Sequence, residues 1–118
     1  MANRPDGWQT VVPRLVVRDT AAQVAFLKAV FGATGRHLVD RPSEIRIGEC
    51  MILVSGPDAR PPMEVFLYVY VDDVDGVHAR AVAAGARSLE EPVDLPYGDR
   101  RATISDTAGN MWQIATRA

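Results

Sequence analysis

The chain is poor in cysteine, lysine and histidine, and each shortage excludes something. Cys50 stands alone. One thiol closes no intrachain disulfide and holds no zinc ion by itself, so the sequence points to a reducing cytoplasm. Lys28 is the only lysine, the arginines are scattered, and 13 basic against 15 acidic residues leave a formal net charge of −2. No basic stripe exists to neutralise phosphates, so nucleic acid is not an expected partner. No apolar run approaches the roughly 20 residues of a membrane span, and no membrane partner is expected. The opening MANRPDGWQT has neither an apolar stretch nor a cleavage pattern and does not read as a signal peptide. Glycine-rich phosphate loops and nucleophile elbows are missing too. His37 and His78 read as exposed or half-buried structural residues, and Cys50 as a small buried thiol without a base nearby.

What is there is a chain of 118 residues, 47% hydrophobic, suited to one domain with a core. Its most unusual stretch is MEVFLYVYVDD, residues 63–73. Side chains alternate across a strand, so Val65, Leu67, Val69 and Val71 share one face and Phe66, Tyr68 and Tyr70 the other. A half-buried strand alternates apolar with polar. This one alternates aliphatic with aromatic, and each face needs its own destination.

The chain also repeats itself. PRLVVRDTAAQVAFLKAVFGA reads as a strand over 11–17, a cap at Asp19 or Thr20, and a helix carrying Val24, Leu27, Val30 and Phe31 at helical spacing, stopped by Gly32. VFLYVYVDDVDGVHARAVAAGA does the same: a strand over 65–71, a cap at Asp73, a helix to about Ala84 and a stop at Gly85. Val17 and Asp19 match Val71 and Asp73 at one offset, 54 residues. Three short strands are expected after each helix, at 36–40, 44–47 and 50–54, then at 87–90, 101–105 and 111–116. Gly48-Glu49 and the DTAGN run at 106–110 supply turns. The expected architecture is α+β, one domain over 1–118 made of two βαβββ repeats, about 10–55 and 64–118, with a proline-rich linker at about 55–63. A helix covers one face of each half, and the other face forms a curved mixed sheet around a cup closed by two halves or two chains.

The stretches VPRLVVRDTAAQVAFLKAVFGA, VYVDDVDGVHARAVAAGA and PYGDRRATISDTAGNMWQIAT, in this order and spacing, resemble the vicinal oxygen chelate superfamily. That group includes glyoxalase I, bleomycin resistance proteins and extradiol dioxygenases, and the last stretch is most similar to small bacterial glyoxalase-like proteins. The resemblance implies a homodimer. In the enzymes of the family it also implies a divalent metal held in the cup by four His, Glu or Gln side chains and acting as a Lewis acid. Carried over residue by residue, the four positions are Val12, Ile52, Phe66 and Gln113. Three have no electron pair to give, whereas catalytic sites need about three protein ligands. No metal, no other cofactor and no catalytic residue are therefore expected.

That mapping turns Arg14 and Val16, Tyr68 and Tyr70, Cys50, Ile52 and Val54, Arg101, Thr103 and Ser105, and Met111, Gln113 and Ala115 inward. The candidate ligand-binding residues are Arg14, Ile52, Phe66, Tyr68, Tyr70, Thr103, Met111 and Gln113, with loop contacts from Trp8, Tyr97 and Arg101. An apolar, aromatic lining with few polar groups suits a small molecule. Stacking a flat ring on such a side chain contributes about 1–3 kcal/mol by analogy with nucleobases. The expected function is sequestration of a flat, partly aromatic drug or metabolite, as in bleomycin resistance. The alternatives are a metal-dependent lyase, isomerase or dioxygenase, and a non-catalytic structural dimer with a filled cup.

Overall fold

The computed structural model describes residues 3–118. The element order is β1(Arg14–Val16), α1(Thr20–Phe31), β2(Ser43–Ile47), β3(Cys50–Ser55), β4(Phe66–Tyr70), α2(Val74–Ala83), β5(Arg87–Asp94), β6(Asp99–Ser105) and β7(Met111–Arg117). Two helices and seven strands form two mixed sheets, one in each of two compact units that meet in sequence at Met63 and Glu64.

In the first unit the strand order is β1-β3-β2, with β1 parallel and β2 antiparallel to β3. Asp19 caps α1 by accepting the Ala22 N–H at 3.0 Å. Gly32 ends it at φ 66°, a left-handed conformation that costs glycine little and other residues more. Leu15, Ile45 and Val54 lie on the sheet face beneath α1 and are essentially fully buried, as are Leu27 and Val30 of the helix. In the second unit the order is β4-β7-β6-β5. Asp73 caps α2 through the Gly76 N–H at 3.0 Å. Trp112, Ile114, Ala102 and Ile104 form the helix-side face, with Val74, Val77 and Ala81 of α2 buried as well. The turn before β7 is held by Asp106, which accepts from the Ala108 and Asn110 amides and from the Trp112 indole N–H.

The expected strand at 36–40 does not form. Thr34 makes a single bridge to Arg46, and the Leu38 N–H goes to the Ser43 hydroxyl at 2.8 Å instead of to a neighbouring strand. Gly35 passes so close to the Glu44 carbonyl oxygen that a side chain there would collide. The first unit is therefore βαββ, and the second βαβββ. Strand β1 is shorter than the expected 11–17, because Pro13 has no N–H to give a ladder. Strand β5 runs on to Asp94, through irregularities between Ser88 and Glu90 and between Glu90 and Val93. Cys50 is exposed, not buried, beside the Gly48-Glu49 turn. His37 lies outside any strand, bonded to the Thr20 hydroxyl, and His78 is buried against the Ser88 hydroxyl, both at 2.8 Å. Among the described residues no helix is long and apolar enough to cross a membrane.

Candidate functional site

The register of the second sheet sets its open face in rows. Phe66, Met111, Ser105 and Arg87 form one, and Tyr68, Gln113, Thr103 and Glu90 the next. Tyr70, Ala115, Arg101 and Val93 follow, and Arg117 faces Asp99 at the end. Phe66, Tyr68 and Tyr70 are 64%, 41% and 57% exposed, so the chain does not fill this face with its own core.

The tyrosines are nevertheless held. Both hydroxyls donate to one oxygen of Asp99, Tyr68 at 2.6 Å and Tyr70 at 3.0 Å, and Arg117 donates from Nε to the other. The Asp99 side chain is 1% exposed. Tyr68 reaches it from two strands away, so its ring passes over β7. This explains why Ala115, on the open face, is fully buried. The two rings meet edge to face at 5.4 Å and 60°. A second network lies beside the first. Arg101 donates from Nε and Nη2 to the two Glu90 oxygens at 2.9 and 3.0 Å, and the Thr103 hydroxyl adds a bond at 2.9 Å. Tyr97 is exposed, and Arg101 donates to its hydroxyl at 3.4 Å.

The electrostatics follow from these bonds. The Arg117 guanidinium, then the Tyr68 hydroxyl, holds the Asp99 carboxyl below the usual range. Arg101 does the same to Glu90, with help from Thr103. Burial, then the bond to Asp99, pushes the Tyr68 phenol well above its ordinary value. The tyrosine protons are thus committed to a carboxylate, and the rings are fixed with their upper surfaces free.

The structure brings Phe66, Tyr68, Tyr70, Thr103, Met111, Gln113 and Arg101 onto this one face, with Tyr97 beside it. Arg101 belongs to β6, not to a loop, because the strand starts at Asp99. Ile52 is a correction. It pairs with Ile45 and shares the helix-side face with Val54, 5% exposed, so it does not line the open face. Cys50 and Val54 are in phase with it. On the first sheet the open face carries Leu53, opposite Arg14 and Glu44. Arg14 is exposed and has no hydrogen-bond or ion-pair partner among the described residues. Trp8 is half-buried in the N-terminal segment, which together with Glu49 lines an open depression of about 550 Å³ in the first unit.

Asp99 and Glu90 were missed by sequence reasoning. Asp99 has the parity of Arg101 and Thr103, so extending β6 by two residues puts it on the same face. Glu90 sits between the two irregularities of β5, where alternation gives no guide.

The side chains do not fit the family's metal. The sheet registers make Leu53, not Ile52, the counterpart of Gln113, since Arg14 pairs with Leu53 as Tyr68 pairs with Gln113. Val12, Leu53 and Phe66 have no donor atom, and Gln113 offers one weak oxygen.

Comparisons with known proteins agree with the geometry. Residues 9–114 match the model of the family described as Glyoxalase/Bleomycin resistance protein/Dioxygenase superfamily. The chain is 31% identical over 100 residues to the Mycobacterium tuberculosis protein named "Putative glyoxylase CFP32"; the match covers 77% of this chain and only 37% of that protein. It is 26% identical to the uncharacterized protein Mb0911c of Mycobacterium bovis, over 86% of this chain and 79% of the other. The crystal structure of TioX from Micromonospora sp. ML1 has the same fold, with a TM-score of 0.77 at 24% identity, covering 93% of this chain and 99% of TioX. A glyoxalase/bleomycin resistance protein/dioxygenase family enzyme from Burkholderia phytofirmans PsJN gives 0.76 at 20%, covering 91% and 97%. With its capped helices, its two mixed sheets and a family match over most of its length, this chain belongs to the glyoxalase/bleomycin resistance protein/dioxygenase superfamily.

Proposed function

We propose that this protein binds a small, flat, partly aromatic molecule by stacking it on the tyrosine face of β4, with no covalent step and no metal. A second copy of the chain closes the face, and the complex sequesters the molecule in the cytoplasm. The carrying observation is the latch: Tyr68 and Tyr70 are exposed, yet both hydroxyls are tied to the buried Asp99. Rings fixed before binding lose little freedom on binding, which is how preorganisation raises affinity. An exposed aromatic face that served only packing would have no need of a shared carboxylate beneath it. The donor-poor set Val12, Leu53, Phe66 and Gln113 supports a reading without metal chemistry.

The test is calorimetric titration with a panel of polycyclic aromatic antibiotics and aromatic metabolites, repeated on Tyr68→Ala. Loss of one stacking partner should weaken binding by roughly tenfold or more, with the circular dichroism spectrum retained. Unchanged affinity in a folded Tyr68→Ala variant sinks the reading. Elemental analysis after dialysis against zinc, nickel, manganese and iron salts is the second arm. One metal per chain would return the metal-dependent enzyme as the better account.

A further inference from the structure

The stacking face also specifies the edge of the ring it takes, an inference that rests on the stacking proposal above. In the three rows that contain the tyrosines and Asp99, nearly every polar side chain is already engaged. Asp99 holds Tyr68, Tyr70 and Arg117, and Glu90 holds Arg101 and Thr103. Each carboxylate is matched by one guanidinium, so those rows present no unpaired charge. Gln113 is the exception: half-buried, its carboxamide has no partner among the described residues. It lies on β7 directly between Tyr68 and Thr103. Neighbouring strands are about 4.8 Å apart, so the amide stands at the rim of any ring laid on Tyr68.

A carboxamide offers an acceptor and a donor side by side. A ligand that covers it without answering either leaves both unpaired and loses affinity. We infer that Gln113 is a specificity-determining residue that pairs with the edge of a neutral, flat heterocycle carrying an adjacent ring N–H and carbonyl, an imide or lactam. Nucleobases are read in the same way, stacked on an aromatic side chain and bonded along one edge. The first sheet has Leu53 at the equivalent register position, so an aliphatic side chain fits this place in the fold.

The experiment compares two probes of one shape. Lumazine is a flat bicyclic imide, and its N,N-dimethyl derivative has the same ring with both N–H groups methylated. Binding of each is followed by probe fluorescence at slightly acidic pH, to the full chain and to Gln113→Leu. The proposal predicts that the unmodified chain binds lumazine about tenfold tighter than the dimethyl derivative, the effect of roughly one good hydrogen bond. In Gln113→Leu the preference should fall to within about twofold while both probes still bind. Gln113→Met serves the same purpose should the leucine variant fail to fold. Equal binding of both probes to the unmodified chain overturns the edge-reading role and leaves the stacking platform standing. A preference that survives in the leucine or methionine variant also overturns it. Binding of neither probe removes the platform for heterocycles and this inference with it.

Discussion

Leu15 and Val17 in the first unit, Val69 and Val71 in the second, stand at the same offset and on the same aliphatic face, buried in the first unit and half-buried in the second. The last strands agree as well, Ile52 and Val54 matching Trp112 and Ile114 beneath their helices. Both helices start from an aspartate that accepts the amide three residues on. The open faces have nothing in common. Val12, Arg14 and Val16 stand where the second unit has Phe66, Tyr68 and Tyr70, and Leu53 stands where it has Gln113. The first sheet's open face holds no ion pair among the described residues, while the second holds two carboxylate–arginine pairs and a tyrosine latch. A helix-covered face admits only side chains that fill it, whereas an uncovered face is free to differ, and that freedom is where a binding site can be written.

The largest effects should come from crossing between those two faces. Trp112→Ala removes a fully buried ring and its indole bond to Asp106, and should destabilise by about 3–5 kcal/mol. Tyr68→Ala, on the open face, should cost about half as much, since the ring keeps much of its exposure. The aliphatic pair sharpens the same point in the first unit: Ile52→Ala should cost about 2–4 kcal/mol and Leu53→Ala distinctly less. Urea unfolding midpoints read all four, and a Leu53 cost equal to that of Ile52 would show that the assigned faces are wrong.

Ile52 also shows where the sequence stops being legible. The repeat, the caps and both helices can be read directly, because alternation, helical spacing and capping residues are local signals. The face of β3 is not local. Ile52 lies four residues past Gly48 as Gln113 lies four past Gly109, yet Gly48 belongs to a two-residue turn and Gly109 to a five-residue one. The strands leave those turns in different phase against their parallel partners, and a slip of one residue exchanges the faces. The absent strand at 36–40 has a similar origin, since nothing in its own residues reveals that Ser43 takes the Leu38 amide. At the site, the aromatic face was visible in residues 63–73, but its latch was not, because Asp99 and Tyr68 meet only across two strands.

A smaller effect should distinguish the sheets by pH. Arg117 and Arg101 pull Asp99 and Glu90 below the ordinary carboxylate range, so the charged forms are favoured on folding. Their contribution is complete at neutral pH, above the unfolded values near 4, and is lost as pH falls through the lower folded values. In hydrogen exchange at falling pH, amides of β4 to β7 should lose protection before those of β1 to β3, and Asp99→Asn should lessen the difference. The Tyr68 phenol gives the opposite sign. Its raised value stabilises the folded chain below about pH 10 and that contribution is lost above it. Ultraviolet titration should show a tyrosine step above the ordinary phenol range, and Tyr68→Phe should remove that step while costing about 1 kcal/mol for the lost bond.

The smallest effect is the one that asks whether a ring is enough. Arg14 occupies the position of Tyr68 in the first repeat, is exposed, and has no partner among the described residues. Arg14→Tyr should change stability by no more than about 0.5 kcal/mol, as surface substitutions usually do. It places a phenol on the first sheet in the row of Leu53 and Glu44, where the one carboxylate is exposed on the edge strand β2 and is not the buried, arginine-paired anchor that Asp99 makes for Tyr68. An untethered ring pays its own ordering entropy when a ligand arrives, and a single stacked pair offsets little more than that. Titration of the variant with a ligand of the tyrosine face should therefore show the same number of bound equivalents as the unmodified chain. An added equivalent would mean that any exposed tyrosine on these sheets suffices, and that Asp99 contributes to stability alone.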